Sequence, residues 1–405
     1  MPYDLVLKGG HVLDPGQGID AQLDIGVSDG RIVAIEPDLD ATDAKQVLEV
    51  GGTDRHVVPG LIDMHTHIAL GAQTEGVGMG CCDPDEIGVQ SGVTTVLDAG
   101  SVGVANVGVI AAHVIPKAKT RILTYVNVGS YAHTMPGFAD VNRIEDINRD
   151  AIARAVTANP GFINGVKLRM VGPIMNERGE EIVDLAKAIA SEHQIPLMVH
   201  IGDMQATNRP SPERIDELTA YLLRQFSEGD ILTHLCTPHH GGVLDTSRKP
   251  IPELAEAHAN GVVLDSALGR GNFGYEIAAH QAQLGVLPDT ISSDLTAGGL
   301  GFHSLMECMA KFMAVGYSLS DAVRMTTVNA AAAIGHQETL GALAVGREAD
   351  ITVLDHVSGD YKFLDTIGTE FRGSHGLVPV QTVRAGELFA PRWGTHPWGW
   401  EPEPA

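Results

Sequence analysis

The sequence predicts an α/β protein, a (β/α)8 TIM barrel with a small β-sandwich subdomain built from both chain termini. Between residues 59 and 339, eight short apolar runs alternate with segments of helical pattern. Both ends of the chain are instead rich in short strands broken by Gly and Asp. The length of 405 residues leaves room for a barrel of about 250 residues and a smaller partner.

Residues 1–58 are predicted to form the N-terminal part of the β-subdomain. Short alternating runs with Gly and Asp at the turns are typical of a small antiparallel sheet. The predicted strands are Tyr3–Lys8, His11–Leu13, Asp24–Val27, Arg31–Ile35 and Val47–Val50.

Residues 59–339 are predicted to form the barrel, because strand and helix patterns alternate throughout. The predicted strands are Gly60–Asp63, Thr94–Asp98, Arg121–Asn127, Gly165–Leu168, Pro196–His200, Ile231–His234, Val262–Asp265 and Thr290–Ser293. The predicted helices include Glu180–His193, Pro212–Gln225, Ile251–Ala259 and Ser304–Val315. A doubly wound open sheet is the alternative, but no Gly-x-Gly-x-x-Gly follows the first strand.

Residues 340–390 are predicted to complete the β-subdomain with strands at Ala349–Asp355 and Val378–Leu388. Residues 391–405 form a C-terminal tail rich in Pro and Trp. The tail fits either an ordered arm at an interface or a loose end, and an arm would suit the homo-oligomer that we expect.

The charge balance excludes two classes of partner. The chain has 27 Lys and Arg against 51 Asp and Glu, a formal net charge of −24. Such a surface repels phosphate backbones and anionic lipids, so we expect no nucleic-acid or membrane partner. We find no basic leader, no apolar run long enough to span a bilayer, and only four cysteines, which fits a cytoplasmic protein.

Four strand ends carry residues that can bind a metal. His65 and His67 follow the first barrel strand, and residues two apart on an extended strand face the same side. His200, His234 and Asp294 each close another apolar strand. Active sites of such barrels lie at the carboxyl ends of the strands. The sequence therefore predicts a metal centre there, since unpaired buried His and Asp are unfavourable.

Lys167 lies in a strand expected to be buried on both faces, between the first His pair and His200 in strand order. A buried lysine must be paired or neutral. Carboxylation by carbon dioxide would give a carbamate that can join two divalent cations, whereas the alternative is an ion pair between unmodified Lys167 and Asp294.

Together these residues resemble the metal-dependent amidohydrolase superfamily. The stretches that match its pattern in order are Pro59–His67, the Lys167 strand, His200, His234, Asp294 and Gly341–Ile351. The resemblance implies two zinc ions, with His65, His67 and Asp294 on one, His200 and His234 on the other, and N6-carboxylated Lys167 on both. It also implies attack by a metal-bridging hydroxide, with Asp294 as the catalytic acid and base.

The chain is most similar to the dihydroorotase-like amidohydrolase and deacetylase branch, on the stretches Gly92–Ser101, Gly165–Met170 and Pro288–Leu295. This branch usually has Asp-x-Gly-His-Gly after the seventh strand, where this chain has Asp265 through Gly271 without a histidine. The missing histidine bears on the substrate and not on the metal site.

The implied activity is hydrolysis of an amide or ester bond in a small acylated amino acid or hydroxy acid. Arg169 shares a strand face with Lys167, and its guanidinium suits a substrate carboxylate, although a structural ion pair is equally consistent. Arg270, Tyr131 and His133 are further candidates for substrate contact. The alternatives are a cyclic amide hydrolase of the dihydroorotase, hydantoinase or enamidase type, and a non-catalytic barrel scaffold.

Overall fold

The structure is a computed structural model that describes residues 3–72, 80–134, 140–203, 212–297 and 304–392. The Trp-rich tail lies outside the described residues from position 393 onward. The strands are β1 Leu5–Asp14, β2 Ile19–Ser28, β3 Arg31–Glu36, β4 Val47–Glu49, β5 Arg55–Pro59, β6 Leu61–Thr66, β7 Val93–Gly103, β8 Arg121–Asn127, β9 Ile163–Arg169, β10 Leu197–His200, β11 Ile231–Thr233, β12 Val263–Ala267, β13 Thr290–Ser292, β14 Ile351–Leu364, β15 Glu370–Arg384 and β16 Glu387–Phe389.

The helices lie mostly between the strands of the middle region. They are α1 Pro84–Ile87, α2 Arg149–Ala158, α3 Ile174–His193, α4 Pro212–Gln225, α5 Pro252–Ala259, α6 Tyr275–Gln283, α7 Leu305–Val315, α8 Leu319–Thr326 and α9 Val328–Ala333. Shorter 3-10 turns and one π turn, Ile110–Val114, connect them. No helix in the described ranges is both long enough and apolar enough to cross a membrane.

Strands β6 to β13 form a parallel barrel in sequence order. The first and last strands meet through backbone hydrogen bonds, with His67 N donating to Leu295 O over 3.1 Å and Asp294 N donating to His65 O over 2.7 Å. Most positions of these strands are buried because helices cover the outside and side chains fill the inside. All eight strands lie within a few residues of their predicted positions, and the barrel prediction is confirmed.

The terminal strands form a second sheet, ordered β16-β15-β14-β5-β1-β2-β3, with β4 also paired to β1. A bulge between Leu7 and Gly10 lets β1 pair with β4 in its first half and β5 in its second. The sheet encloses its own apolar core, which includes Leu5, Val12, Ile25, Val57, Ile351, Val353 and Val383. The β-sandwich built from both termini is confirmed, whereas the exact domain boundaries stay a prediction.

The β14–β15 hairpin is much longer than the sequence pattern predicts. Its tip packs on the barrel, where Phe371 stacks against Tyr275 of α6 with ring centroids 4.2 Å apart. Thr366 and Asp365 also bond the loop after β12, because Phe273 N donates to Thr366 Oγ1 over 2.8 Å and Tyr275 N to Asp365 Oδ2 over 3.1 Å. The sandwich therefore supports a loop at the carboxyl end of the barrel.

Candidate metal centre

His65, near the end of β6, and His67, directly after it, both turn their Nε2 atoms toward the barrel interior. His67 Nδ1 lies 2.8 Å from Ser101 Oγ, and His65 Nδ1 lies 3.0 Å from Thr233 Oγ1. Each hydroxyl donates its own hydrogen to a carboxylate, Ser101 to Asp98 over 2.7 Å and Thr233 to Asp265 over 2.6 Å. Both hydroxyls must accept from the imidazoles, which fixes the proton on Nδ1 and leaves Nε2 as an electron-pair donor.

His200 ends β10 and His234 follows β11, and their ring centroids are 4.0 Å apart. His234 Nδ1 lies 3.0 Å from the carbonyl oxygen of Ala267, so this ring also carries its proton on Nδ1. The Nε2 atoms of both histidines are buried and have no hydrogen-bond partner among the described residues. Such orphaned acceptors are unfavourable unless a cation or donor meets them.

Asp294 lies directly after β13 and brings a carboxylate to these rings. Its Oδ1 is 2.8 Å from His67 Nε2 and 3.4 Å from His65 Nε2, and its Oδ2 is 3.8 Å from His234 Nε2. Burial by itself raises the pKa of Asp294, but the neighbouring His65 and His67 hold it well below its usual value. The group is therefore a carboxylate at neutral pH.

The backbone is unusual at two of these positions. His234 and Asp294 have φ values of 75° and 54°, in the left-handed region that non-glycine residues rarely adopt. Strain of this kind persists where the surrounding structure fixes it, commonly at functional sites. The adjacent loop fits closely, since a Cβ added at Gly269 would lie 2.2 Å from Asp294 Oδ2.

The donor set fits a divalent cation. One ligand atom each from His65, His234 and Asp294 lies within 4.8 Å of the others. Burial lowers the pKa of His65 and His200 well below the usual value and that of His234 to about 3, so the rings are neutral, which is the form that binds metals. Neutral imidazole nitrogens and a carboxylate, converging in a buried space, are the ligands that zinc and related ions prefer.

Lys167, on β9, reaches into the same space. It is 1% exposed, and its Nζ lies 3.0 Å from His65 Nε2 and 3.4 Å from Met198 Sδ. Its side chain has room because β7 carries Gly100, where an added Cβ would come within 2.6 Å of Lys167 Cβ. Burial lowers the Lys167 pKa to about 7. In the described part of the chain it makes no ion pair with a carboxylate, so the alternative of a Lys167–Asp294 ion pair is not what the structure contains.

Sequence reasoning did not assign the hydrogen-bonding residues behind the histidines. Asp265 accepts bonds from Thr233, Thr290 and Ser292, the last two over 2.8 and 2.9 Å. On the opposite side of the barrel, Asp98 accepts from Ser101. The available signal was that both carboxylates lie in apolar barrel strands, and in the sheet each pairs with the residue next to a predicted ligand, Asp98 with Thr66 and Asp265 with Thr233.

Two of the four predicted substrate contacts lie beside the metal-ligand cluster. The His133 ring centroid is 4.6 Å from that of His67, and both of its buried ring nitrogens lack a hydrogen-bond partner in the described ranges. Arg169 is 4% exposed, and its Nη1 donates to Asp140 Oδ1 over 3.3 Å. Asp140 is itself held by Asn127 Nδ2 over 2.7 Å.

The other two predicted substrate contacts, Tyr131 and Arg270, lie outside the cluster of candidate metal ligands. Tyr131 is 54% exposed, and no contact joins it to the metal ligands within the described residues. The Arg270 guanidinium connects the loops after β12 and β13, donating from Nε to Thr296 Oγ1 over 2.9 Å and from Nη2 to the Ala297 carbonyl over 2.6 Å. Arg270 is therefore positioned by these loops at the rim of the barrel.

Comparison with known proteins finds relatives in sequence and in structure. The sequence profile of the Amidohydrolase family matches residues 56–388. A protein named deacetylase from Enterococcus faecalis is 28% identical over 96% of this chain and 100% of its own length, and one from Brucella anthropi is 31% identical over 91% and 88%. Solved structures described as an adenine deaminase and a dihydroorotase superpose with TM-scores of 0.83 and 0.79, each at 26% identity, over 96% of this chain and 100% and 99% of theirs.

The profile covers both the barrel strands and much of the β-sandwich, and the relatives match nearly the whole chain. The fold, the histidine and aspartate cluster and these relatives agree. This chain belongs to the amidohydrolase family and is a metal-dependent amidohydrolase.

Proposed function

We propose that this protein is a binuclear metal hydrolase that cleaves an amide or ester bond in a small acylated amino acid or hydroxy acid. The observation that carries the proposal is the set of inward-facing acceptors at one end of the barrel. His65, His67 and His234 each carry their ring proton on Nδ1, so that Nε2 is free to act as an electron-pair donor. The carboxylate of Asp294 lies close to these Nε2 atoms. Electron-pair donors that converge in this way are stabilised by bound cations.

Two ions fit the donor set better than one. His65, His67 and Asp294 would hold the first ion, and His200 and His234 would hold the second. Lys167 lies beside His65 without a carboxylate partner, and a carbamate on its Nζ would supply two oxygen ligands shared by both ions. The carbamate also removes the positive charge that a buried, unpaired lysine would otherwise bring. Zinc is the metal that this mixture of ligands favours.

When bound, the metal ions would lower the pKa of a water molecule toward 7 and polarise the scissile carbonyl. The residues of the chain then handle the proton. Asp294, ionised and aimed at the centre, accepts a proton as the water attacks and returns it to the leaving nitrogen or oxygen. Amide or ester cleavage of this kind forms no covalent intermediate with the protein, and the described site presents no serine or cysteine nucleophile to the metal cluster.

The relatives favour an acyclic substrate. Proteins named deacetylase align over 88% to 100% of their own length, whereas a protein named dihydroorotase from Geobacter sp. matches at 32% identity over only 30% of this chain. The cyclic amide hydrolases remain the second candidate because a dihydroorotase structure has a TM-score of 0.79. A deaminase is disfavoured, since Ile201, Gly202 and Asp203 follow His200 where the superfamily's mononuclear deaminases place a glutamate.

His133 and Arg169 are the residues we assign to the substrate. Neither ring nitrogen of His133 makes a hydrogen bond within the described residues, although Nε2 lies 3.6 Å from Asp140 Oδ1, and the ring lies beside His67. This placement suits a hydrogen bond to the acyl carbonyl or to a nearby carboxylate of the substrate. Arg169 adds positive charge behind it, with Asp140 holding the guanidinium in place. Arg270 and Tyr131, at the rim, would contact the part of the substrate that faces solvent.

The test is hydrolysis by metal-loaded protein across a matched panel of N-acetyl amino acids, O-acetyl hydroxy acids, dihydroorotate and hydantoins. Turnover of the acyclic compounds alone is the expected result. Capping the substrate carboxylate as an amide should lower kcat/KM in the wild type and have little effect in His133→Asn. Turnover of dihydroorotate or hydantoins alone would instead support a cyclic amide hydrolase. A metal content of one ion per fully active chain would contradict the binuclear centre.

A further inference from the structure

Four histidines form a row across the β-sandwich, on strands that contribute none of the candidate ligands of the barrel. They are His11 on β1, His56 on β5, His356 on β14 and His375 on β15, which are consecutive strands of the sheet. The neighbouring ring centroids are 4.8, 6.2 and 4.5 Å apart. We name this row the histidine ladder.

The strand register places all four rings on one face of the sheet. His11 pairs directly with His56, and His56 pairs with Leu354, two residues from His356. Ser358, also two residues from His356, pairs with His375. Because directly paired residues share a face and residues two apart on a strand do too, the four imidazoles must lie together.

Each inner ring has one nitrogen without a hydrogen-bond partner among the described residues. His56 Nδ1 and His356 Nε2 are buried atoms without a hydrogen-bond partner in the described part of the chain. The outer rings are each anchored by one nitrogen, with His11 Nε2 2.5 Å from Asp20 Oδ1 and His375 Nδ1 2.8 Å from Ser374 Oγ. In each of the pairs His11–His56 and His356–His375, an anchored ring lies beside a ring with an orphaned nitrogen, with centroids 4.8 and 4.5 Å apart.

A divalent transition metal is the ligand that satisfies such pairs. Burial lowers the pKa of His56 and brings that of His356 to about 4, so both rings are neutral at physiological pH. The ring spacings resemble those of the barrel histidines, 5.1 Å between His65 and His234 and 5.6 Å between His65 and His67. A carboxylate on the far nitrogen of a ligand histidine, as Asp20 provides for His11, is a common support in metal sites.

We propose that the histidine ladder is a second metal-binding region, which takes zinc or another imidazole-preferring divalent ion at the His11–His56 and His356–His375 pairs. Each pair supplies two nitrogens, and water completes the coordination. Only the barrel cluster brings three ligand atoms together among the described residues, so the ladder should bind its ions more weakly than the barrel does. Imidazole ligands favour zinc, nickel and copper over magnesium and calcium.

The first experiment counts metal in the full-length enzyme. Protein already saturated at the barrel is dialysed against micromolar free zinc, and bound zinc is measured by elemental analysis. We expect one or two equivalents beyond the barrel ions, lost in His56→Gln/His356→Gln with basal activity unchanged. The control His258→Gln/His280→Gln removes two histidines outside the ladder and should keep the extra zinc. The absence of extra zinc in the wild type, or its retention in the ladder variant, would overturn the proposal.

A second measurement needs no variant. Diethyl pyrocarbonate modifies accessible imidazoles, and mass spectrometry reports the modification of each histidine. Added zinc should protect His11 and His375 at least several-fold, whereas magnesium should not, and His258 should react equally in all samples. Equal reaction of the ladder histidines with and without zinc would contradict the site even if extra zinc were bound elsewhere.

Discussion

Two buried lysines illustrate how the surroundings of one residue define its role. Lys311, on α7, is fully buried, and its Nζ lies 3.3 Å from Glu307 Oε1, one helical turn away. Lys167 is equally buried, but its polar neighbours are His65 Nε2 and Met198 Sδ. An ion pair accounts for Lys311, whereas no carboxylate of the described residues lies within ion-pair distance of Lys167, and carboxylation would supply an anion on the residue itself.

Lys167→Ala should therefore remove one or both metal ions from the barrel. We expect kcat/KM to fall by more than the roughly 10- to 100-fold that follows loss of an indirect metal support, with added bicarbonate unable to restore it. Elemental analysis and kinetics on purified protein measure both effects. Lys311→Met, which also removes a buried lysine, should lower stability but keep the metal content. Full activity in Lys167→Ala would end the bridging role.

Thr233 tests whether the hydroxyl behind a ligand histidine matters. Its Oγ1 lies between His65 Nδ1 and Asp265 Oδ2, at 3.0 and 2.6 Å. Thr233→Val keeps the shape but no longer fixes the His65 proton, so we expect metal affinity to fall about 10- to 100-fold, measured by competition with a chelator. Thr219→Val is the matched control, since Thr219 is buried and bonds only backbone carbonyls. Unchanged affinity in Thr233→Val would mean that the hydroxyl does not orient His65.

The convergence of the candidate ligands was predictable because most of them close apolar strands, and the topology of a barrel brings strand ends together; their role as metal ligands stays a prediction. Their partners were not, since the distance from Thr233 on β11 to Asp265 on β12 depends on a register that only the folded sheet sets. The same holds for the histidine ladder, whose members lie up to 364 positions apart in sequence numbering, from His11 to His375. Cross-strand neighbours of this kind leave no spacing signal in the chain.

At the scale of elements, periodicity located the barrel strands and the predicted helix Pro212–Gln225, which matches α4. It missed most of the β14–β15 hairpin, where the predicted strand ends at Asp355 and the observed one continues to Leu364. The outer half of the hairpin gains its stability from Tyr361, Phe363 and Phe371 packing on barrel helices. Tertiary packing of that sort can override a weak local strand pattern.

The loop after β12 offers a test of how an element positions Asp294. Gly269 has φ +58°, and a Cβ there would lie 2.2 Å from Asp294 Oδ2. Gly269→Ala should displace the carboxylate and lower kcat/KM strongly, besides a stability loss of about 1 kcal/mol or more from the left-handed backbone. Gly285→Ala is the control, because Gly285 has φ +76° with open space around it, and it should lose stability alone. Equal activity in both variants would contradict the role of the loop.

At the scale of the molecule, the sandwich and the metal centre lie at different ends of several barrel strands. Arg121 begins β8 and pairs with Glu348 and Asp350 just before β14, and Thr352 Oγ1 donates to Gly92 O, before β7, over 2.6 Å. The ligand histidines lie instead at the carboxyl ends. Among the described parts of the sandwich, the long β14–β15 hairpin is the one that extends to the loop beside the site. Changes in the sandwich core should consequently act on stability, and changes at the carboxyl ends on chemistry.

Removing the metal should weaken the barrel and leave the sandwich largely unchanged. The proposed ligands lie at or near the carboxyl ends of β6, β9, β10, β11 and β13, so bound ions would join these strands through their side chains. An ion present at 100 times its dissociation constant stabilises the folded state by about 2.7 kcal/mol. Chelation should therefore lower Tm by several degrees, and added zinc should restore it.

Hydrogen exchange locates the effect of metal removal. In the chelated protein the amides at the carboxyl ends of those barrel strands should lose protection, because the opening that exposes them no longer has to release the ions. The amides of β2 and β3, on the far side of the sandwich sheet, should exchange at the same rate with and without metal. Uniform loss of protection through both sheets would mean that the metal stabilises the molecule as one unit, and unchanged Tm would mean that the acceptor cluster is stable without a cation.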